Sequence, residues 1–122
     1  MLSSNELKKG QIYYAEMPDA YGSEQGGFRP VLILQNNVGN KYSPTTQVAP
    51  LTSRKTKRKL PTHVFLEADR SKLKQDSTIL VEQIRTIDKS RLRGYLSCVD
   101  ESIMLEINTA ISISFGLDLA VA

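Results

Sequence analysis

The chain has 122 residues, 40% of them apolar, which is enough for one hydrophobic core, so we expect one domain over residues 1–122. No apolar run approaches the roughly 20 residues of a membrane-spanning helix, and residues 1–10 lack the apolar stretch of a secretory signal. The net charge is +3, and a single cysteine, Cys98, excludes an internal disulfide. We therefore expect a cytoplasmic protein in which Cys98 is a small buried side chain.

The first three-quarters of the chain have the pattern of short strands separated by turns. Residues 29–35 are almost continuously apolar, which predicts a strand buried on both faces. Pro50 favours an edge strand or a bulge, and residues 36–46, rich in Asn and Gly, predict a loop. The region around Leu73 suggests a short helix, and residues 92–99 suggest a further strand. The predicted strands are residues 11–16, 29–35, 47–52, 63–67 and 77–84.

After Asp100 the pattern becomes helical. Asp100 is suited to an N-cap and Gly116 to a helix stop. Many short strands followed by one helix predict an α+β fold, a small, curved and mostly antiparallel β-barrel closed by a C-terminal helix. The apolar residues at helical spacing are Ile103, Met104, Ile107, Ala110, Ile111 and Phe115.

The sequence lacks the motifs of several common kinds of functional site. There is no HExxH motif, no Cys/His cluster and no Walker A loop, so we expect no metal site and no cofactor. The glycines between Gly22 and Gly27 do not match the dinucleotide fingerprint. The one histidine, His63, stands beside an apolar strand without a GxSxG motif and is expected to be structural.

Two residues at the ends of predicted strands are the remaining candidates for a functional site. Arg29 opens a buried strand, and a buried arginine needs an anionic partner, which is either Glu16 or Glu24 within the protein or a bound ligand. Thr52 ends the next strand and precedes residues 53–59, where five of seven residues are cations. These cations form either a solvated loop or a site for a phosphate backbone.

The charge distribution favours a polyanionic partner on one side of the molecule. Residues 1–61 contain nine basic and four acidic residues, whereas residues 62–122 contain seven and nine.

Five sequence blocks resemble the MazF/PemK family of toxin ribonucleases, in the family's order and spacing over residues 8–117. The blocks are residues 9–13 (KGQIY), 22–32 (GSEQGGFRPVL), 35–36 (QN), 60–64 (LPTHV) and 76–88 (DSTILVEQIRTID).

The resemblance implies an SH3-like barrel with a C-terminal helix that works as a homodimer. It implies sequence-specific, metal-independent cleavage of single-stranded RNA, mainly mRNA, with 2′,3′-cyclic phosphate and 5′-OH ends. The implied protein partner is a cognate antitoxin whose acidic tail covers the RNA-binding groove. No membrane association is implied.

The resemblance also implies roles for particular residues. Arg29 and Thr52 correspond to the catalytic arginine and hydroxyl, and Glu24, Asn36 and Gln83 correspond to positions that line the RNA path. Some relatives use an Asp and a His whose counterparts cannot be placed in this chain. We therefore prefer the Arg–Thr arrangement. Arginine stays protonated, so either Glu24 accepts the 2′-OH proton or catalysis proceeds by electrostatics and positioning alone.

Two other functions remain open at this stage. One is a non-catalytic SH3-like module that binds RNA or protein, and the other is a gyrase poison of the same fold that would not need Arg29. If the chain binds RNA, Tyr21, Phe28 and Tyr42 are aromatic residues suited to base stacking.

Overall fold

The computed structural model describes residues 6–18, 20–54 and 60–117. Within these ranges the chain forms strands, three α-helices and two short 3-10 helices, at Val81–Gln83 and Lys89–Arg91. In chain order the strands and α-helices are β1 (Gln11–Met17), β2 (Gly27–Ile33), α1 (Asn37–Tyr42), β3 (Thr45–Thr52), β4 (His63–Leu66), α2 (Ala68–Ser71), β5 (Ser77–Leu80), β6 (Arg85–Asp88), β7 (Leu92–Cys98) and α3 (Glu101–Phe115).

The seven strands form an antiparallel sheet in the order β4-β5-β3-β2-β1-β7, with β6 also paired to β3. The predicted antiparallel fold with a C-terminal helix is confirmed. Pairing among the described residues does not close the sheet, because β4 and β7 remain its two ends. No helix in these parts of the chain is long and apolar enough to cross a membrane.

Strand β3 is central, so the expectation that Pro50 marks an edge is wrong. On one side Pro50 pairs with Val31 of β2. On the other side β6 pairs with β3 up to Val48, and β5 begins its pairing at Leu51. The proline therefore lies where β3 changes from pairing with β6 to pairing with β5. At this interior position the missing N–H interrupts neither the β3–β6 nor the β3–β5 hydrogen bonds.

The Asn- and Gly-rich segment after β2 begins with helix α1, which replaces most of the expected loop. The Asn36 side chain caps this helix by accepting a hydrogen bond from the Gly39 amide at 2.8 Å. Asn40 is buried, where it donates to the Gln35 carbonyl and accepts from the Thr46 hydroxyl, both at 2.8 Å. These side-chain bonds offset the weak helix propensity of the segment.

Helix α3 follows its predicted boundaries. The Asp100 carboxylate accepts from the Ile103 amide at 2.9 Å, and Gly116 ends the helix with a φ of 67°. Ile107 lies in the main core between α3 and the sheet, whereas Phe115 is exposed and does not belong to the buried face. Phe115 is the last residue of α3.

Two further expectations change, and the short helix expected near Leu73 is found. The predicted strand 77–84 ends at Leu80, and the separate strand β6 follows a 3-10 turn. The short helix α2 lies just before Leu73. Cys98 is exposed because it ends the edge strand β7, which corrects its expected burial.

Candidate active site

A groove with a volume of about 1310 Å³ opens where β2 begins and β3 ends. Its other walls come from the loop before β2, the turn between α2 and β5, and strand β7. Glu24 is the only carboxylate among the described lining residues, so the groove is strongly cationic and suited to a polyanion. Its cationic side chains are Arg29, Arg54, Lys72, Lys74 and Arg93.

Two backbone carbonyls hold the Arg29 side chain in place. Its Nε donates to the Gly26 carbonyl at 2.8 Å, and its Nη1 donates to the Leu51 carbonyl at 3.2 Å. Because one carbonyl precedes β2 and the other belongs to β3, the guanidinium is fixed between two chain segments. A guanidinium has five N–H groups, so three remain for other acceptors.

No carboxylate in the described part of the chain pairs with Arg29. Glu16 instead pairs with Arg93, with 2.7 Å between its Oε1 and Nη2 of the arginine. Glu24 accepts from the Tyr21 amide at 2.9 Å. Both carboxylates that the sequence offered as structural partners of Arg29 are therefore engaged elsewhere, and the guanidinium can receive an anion from outside.

The electrostatic surroundings of Arg29 favour such an anion. Partial burial lowers the pKa of Arg29 below its ordinary value, and the neighbouring charge of Arg54 lowers this pKa further. Both effects disfavour the charged form of an unpaired guanidinium. A bound phosphate would relieve them by supplying the missing negative charge.

Thr52 lies beside Arg29 at the end of β3. Continuing the β2–β3 register beyond the Val31–Pro50 pair by two residues places Arg29 opposite Thr52. Thr52 is buried, with 7% of its surface exposed, and its hydroxyl oxygen accepts from the Arg54 amide at 3.2 Å. The hydroxyl proton remains available, so Thr52 can donate to a ligand that Arg29 binds.

Gln83 holds the loop before β2 in place. Its Oε1 accepts from the Gln25 amide at 2.8 Å, and its Nε2 donates to the Ser23 carbonyl at 3.3 Å. Arg85 adds a bond from its Nη1 to the Gln25 carbonyl at 3.1 Å. The loop that carries Glu24 to the groove is thus attached to the segment joining β5 and β6.

The structure brings together three of the five residues predicted for the site. Arg29, Thr52 and Glu24 line the same groove. Gln83 contacts the loop that forms one wall, and Asn36 is exposed at the start of α1, outside the groove lining. The expected roles of Gln83 and Asn36 in RNA contact remain predictions.

Other lining residues were not singled out from the sequence, because the fold collects them from distant segments. Lys72 and Lys74 stand in the turn after α2, and Tyr14 and Arg93 stand on β1 and β7. Of the predicted basic loop, Arg54 lies in the groove, whereas residues 55–59 are outside the described residues. A charge count along the chain does not reveal which cations share a surface.

His63 has the geometry of a structural residue, as expected. Its Nδ1 accepts from the Leu60 amide at 3.3 Å, which places the ring proton on Nε2. Nε2 then donates to Glu82 at 3.1 Å, and the other oxygen of that carboxylate accepts from Thr62 at 2.9 Å. In the described ranges no three His, Cys, Asp or Glu residues cluster as metal ligands would.

Known proteins are similar to this chain in sequence and in fold. Residues 8–115 match the family model described as the PemK-like, MazF-like toxin of type II toxin–antitoxin systems. A protein of Staphylococcus saprophyticus named endoribonuclease MazF is 52% identical over 111 residues, covering 91% of this chain and 92% of that protein. The protein of the same name from Staphylococcus epidermidis is 51% identical over 112 residues, covering 92% of this chain and 93% of that protein.

Solved structures agree with the sequence matches. The MazF structure from Deinococcus radiodurans superposes with a TM-score of 0.77 at 25% identity, covering 91% of this chain and 97% of that one. A mycobacterial endoribonuclease in complex with its cognate antitoxin superposes with a TM-score of 0.74 at 30% identity, covering 91% and 96%.

Proposed function

Because this chain belongs to the PemK-like, MazF-like family of type II toxins, we propose that it is an endoribonuclease toxin that cuts single-stranded RNA, mainly mRNA, at a short sequence. The observation that carries the proposal is the half-buried Arg29 guanidinium, which is fixed by two carbonyls and lies beside Thr52 in a cationic groove. This arrangement is suited to bind and polarise one phosphate of a polyanion.

We propose that the nucleophile is the ribose 2′-OH next to the scissile phosphate, without a metal ion. The 2′-oxygen loses its proton and forms a bond to phosphorus, while the bond between phosphorus and the 5′-oxygen breaks. The leaving 5′-oxygen gains a proton. The products are a 2′,3′-cyclic phosphate on one fragment and a 5′-OH on the other, so the reaction consumes no co-reactant.

Arg29 supplies the positive charge that this reaction needs. Negative charge builds on the non-bridging oxygens as the fifth bond to phosphorus forms, and the free N–H groups of Arg29 can donate to these oxygens. Since two further N–H groups are already bonded to carbonyls, the guanidinium does not have to reorganise during the reaction.

Thr52 and Glu24 complete the proposed mechanism. The Thr52 hydroxyl donates to a non-bridging oxygen of the same phosphate, from the strand opposite Arg29. Glu24 supplies the one carboxylate among the described lining residues, so it is the candidate acceptor for the 2′-OH proton. Arginine stays protonated in proteins and is unsuited to that step.

We propose that the partners are single-stranded RNA, a cognate antitoxin and a second copy of this chain. The antitoxin proposal is supported by the mycobacterial relative whose structure contains its cognate antitoxin. A cationic groove is also the surface that an acidic antitoxin segment would cover. Light scattering at micromolar concentration tests the homodimer, which a monomer would contradict.

The end groups of the cleavage products test the proposed chemistry. We expect a synthetic RNA with one cleavage site to give a 5′-OH fragment and a 2′,3′-cyclic phosphate fragment. The same RNA with a 2′-deoxy nucleotide immediately 5′ of the cleaved bond should stay intact. Cleavage of the 2′-deoxy RNA, or fragments with 5′-phosphate ends, would contradict attack by the 2′-OH.

A further inference from the structure

Two exposed aromatic rings line the groove. Tyr14 and Phe28 form an edge-to-face pair with their ring centroids 4.3 Å apart, and both residues line the cavity. Tyr14 is 37% exposed and Phe28 is 54% exposed. In an edge-to-face pair, the ring that presents its edge keeps both of its faces free of the other ring, so a flat aromatic surface remains for a third partner.

The strand register explains why this aromatic surface is uncovered. Tyr14 pairs with Pro30, and Glu16 pairs with Phe28, so Tyr14 and Phe28 project from one face of β1 and β2. Further along the same face, Ile12 is fully buried in the core beneath α3. The cover of this face therefore ends before Tyr14 and Phe28, where the groove begins.

Gly94 leaves an open space next to Tyr14. It pairs with Tyr14 across β1 and β7, and a Cβ added to Gly94 would meet nothing within 4 Å. Gly94 is also absent from the glycines with positive φ, so its backbone does not require glycine. What the glycine provides is the space above the strand beside the Tyr14 ring.

We propose that Tyr14 and Phe28 form a stacking site for one base of the bound RNA, and that Gly94 keeps this site open. This inference rests on the proposed function of the groove. Because cationic side chains line the same groove as the aromatic pair, the groove combines a planar apolar surface with sites for phosphate. A nucleotide has this combination of a flat base and a negative charge.

The charges around the aromatic pair favour RNA over an apolar protein segment. Lys72 and Lys74 line the same groove with no ion pair among the described residues. Burying an apolar segment there would leave these cations without a counter-charge. Binding a strand of RNA would place its phosphates near them while one base covers the aromatic rings.

The experiment measures RNA affinity so that it does not depend on cleavage. A short 2′-O-methyl RNA is selected for binding to the wild-type chain from a random pool, and copies with one abasic position each are prepared. The variants are Tyr14→Leu, Phe28→Leu and Gly94→Leu. Phe65→Leu is the matched control, because Phe65 is 49% exposed and lies outside the groove lining. Circular dichroism and thermal unfolding check that each variant is folded.

We expect Tyr14→Leu and Phe28→Leu to weaken binding of the intact RNA roughly 5- to 150-fold, the range of one stacked base. At one abasic position the same substitutions should change the affinity less than about twofold, because the base that stacks is missing. Gly94→Leu should weaken binding of the intact RNA and bind that abasic RNA as the wild type does. Phe65→Leu should bind every RNA as the wild type does.

Other outcomes overturn the inference. Equal losses for Phe28→Leu and Phe65→Leu, or an equal loss at every abasic position, would show that no single base stacks on this pair. Unchanged RNA binding with weakened dimerisation or antitoxin binding would assign the surface to a protein partner. If the wild type binds RNA but cuts no RNA with free 2′-OH groups, the nuclease proposal fails and the stacking site stands. If it binds no RNA, both fail.

Discussion

Replacing Arg29 by lysine keeps the positive charge and removes the planar arrangement of donors. Arg29 uses one N–H of Nε and one of Nη1 on the carbonyls of Gly26 and Leu51, which leaves three N–H groups for a phosphate. A lysine ammonium has three N–H groups. A lysine bonded to both carbonyls would keep one free N–H group for the phosphate. An ammonium also cannot donate two parallel hydrogen bonds to two phosphate oxygens as a planar guanidinium does.

We therefore expect Arg29→Lys, with both carbonyl bonds kept, to lose two of the three donors to the phosphate. Removing one preorganised donor from a transition-state site costs about 10²- to 10³-fold in rate. The loss for Arg29→Lys should accordingly be at least 100-fold in kcat, or about 2.7 kcal/mol. Arg29→Ala should abolish cleavage.

The assay is single-turnover cleavage of a fluorescent RNA with one cleavage site. Arg91→Lys is the control, because Arg91 is outside the groove lining and donates only a long bond of 3.5 Å to the Glu16 carbonyl. Thermal unfolding confirms that both variants fold. An Arg29→Lys rate within threefold of the wild type would refute the reasoning, since a charge alone would then be sufficient.

Three further predictions follow from other contacts. Thr52→Val should lower kcat about 10- to 100-fold with little change in RNA affinity, and Thr52→Ser should keep most of the wild-type rate. A change confined to affinity would make Thr52 a binding residue. In salt titrations of RNA binding, Lys72→Asn should reduce the slope of log affinity against log salt by about 0.7. Lys41→Asn is the control, because Lys41 lies outside the groove lining, and it should leave the slope unchanged. The backbone amide of Ile103, followed by Arg70, lowers the pKa of Asp100 to about 2 from an ordinary 3.8. The contribution of the Asp100 carboxylate to stability is therefore complete above about pH 4 and is lost as the pH falls towards 2. The unfolding temperature of Asp100→Asn should fall less over this pH range than that of the wild type, and equal falls would contradict this linkage.

The sequence predicts the parts of the fold that depend on local patterns. The cap at Asp100, the glycine stop at Gly116 and the apolar spacing between them are readable without tertiary information, and α3 follows them. Helix α1 escapes this reasoning, because its stability depends on Asn40, whose partners include Thr46 on the next strand. Composition alone favours a loop there.

Some residues of the candidate site are likewise predictable from the sequence, whereas others are recognised only in the structure. Arg29 and Glu24 stand in a block that the family resemblance identifies, Thr52 is the position at the end of the third strand that the resemblance implies, and all three line one groove. Tyr14 and Gly94 belong to no such motif and come together only through the register of β1 and β7. Pairing between strands 80 residues apart is not encoded in any local pattern, so such neighbours require the structure.

Cleavage of a long single-stranded RNA in the presence of EDTA tests the proposed function most directly. The purified chain and its Arg29→Ala variant are incubated with the RNA, and the ends of the fragments are sequenced. We predict that the wild type alone cuts, and that its cuts fall at one short recurring sequence. Intact RNA in both reactions, or equal cleavage by Arg29→Ala, would contradict a metal-independent ribonuclease centred on Arg29.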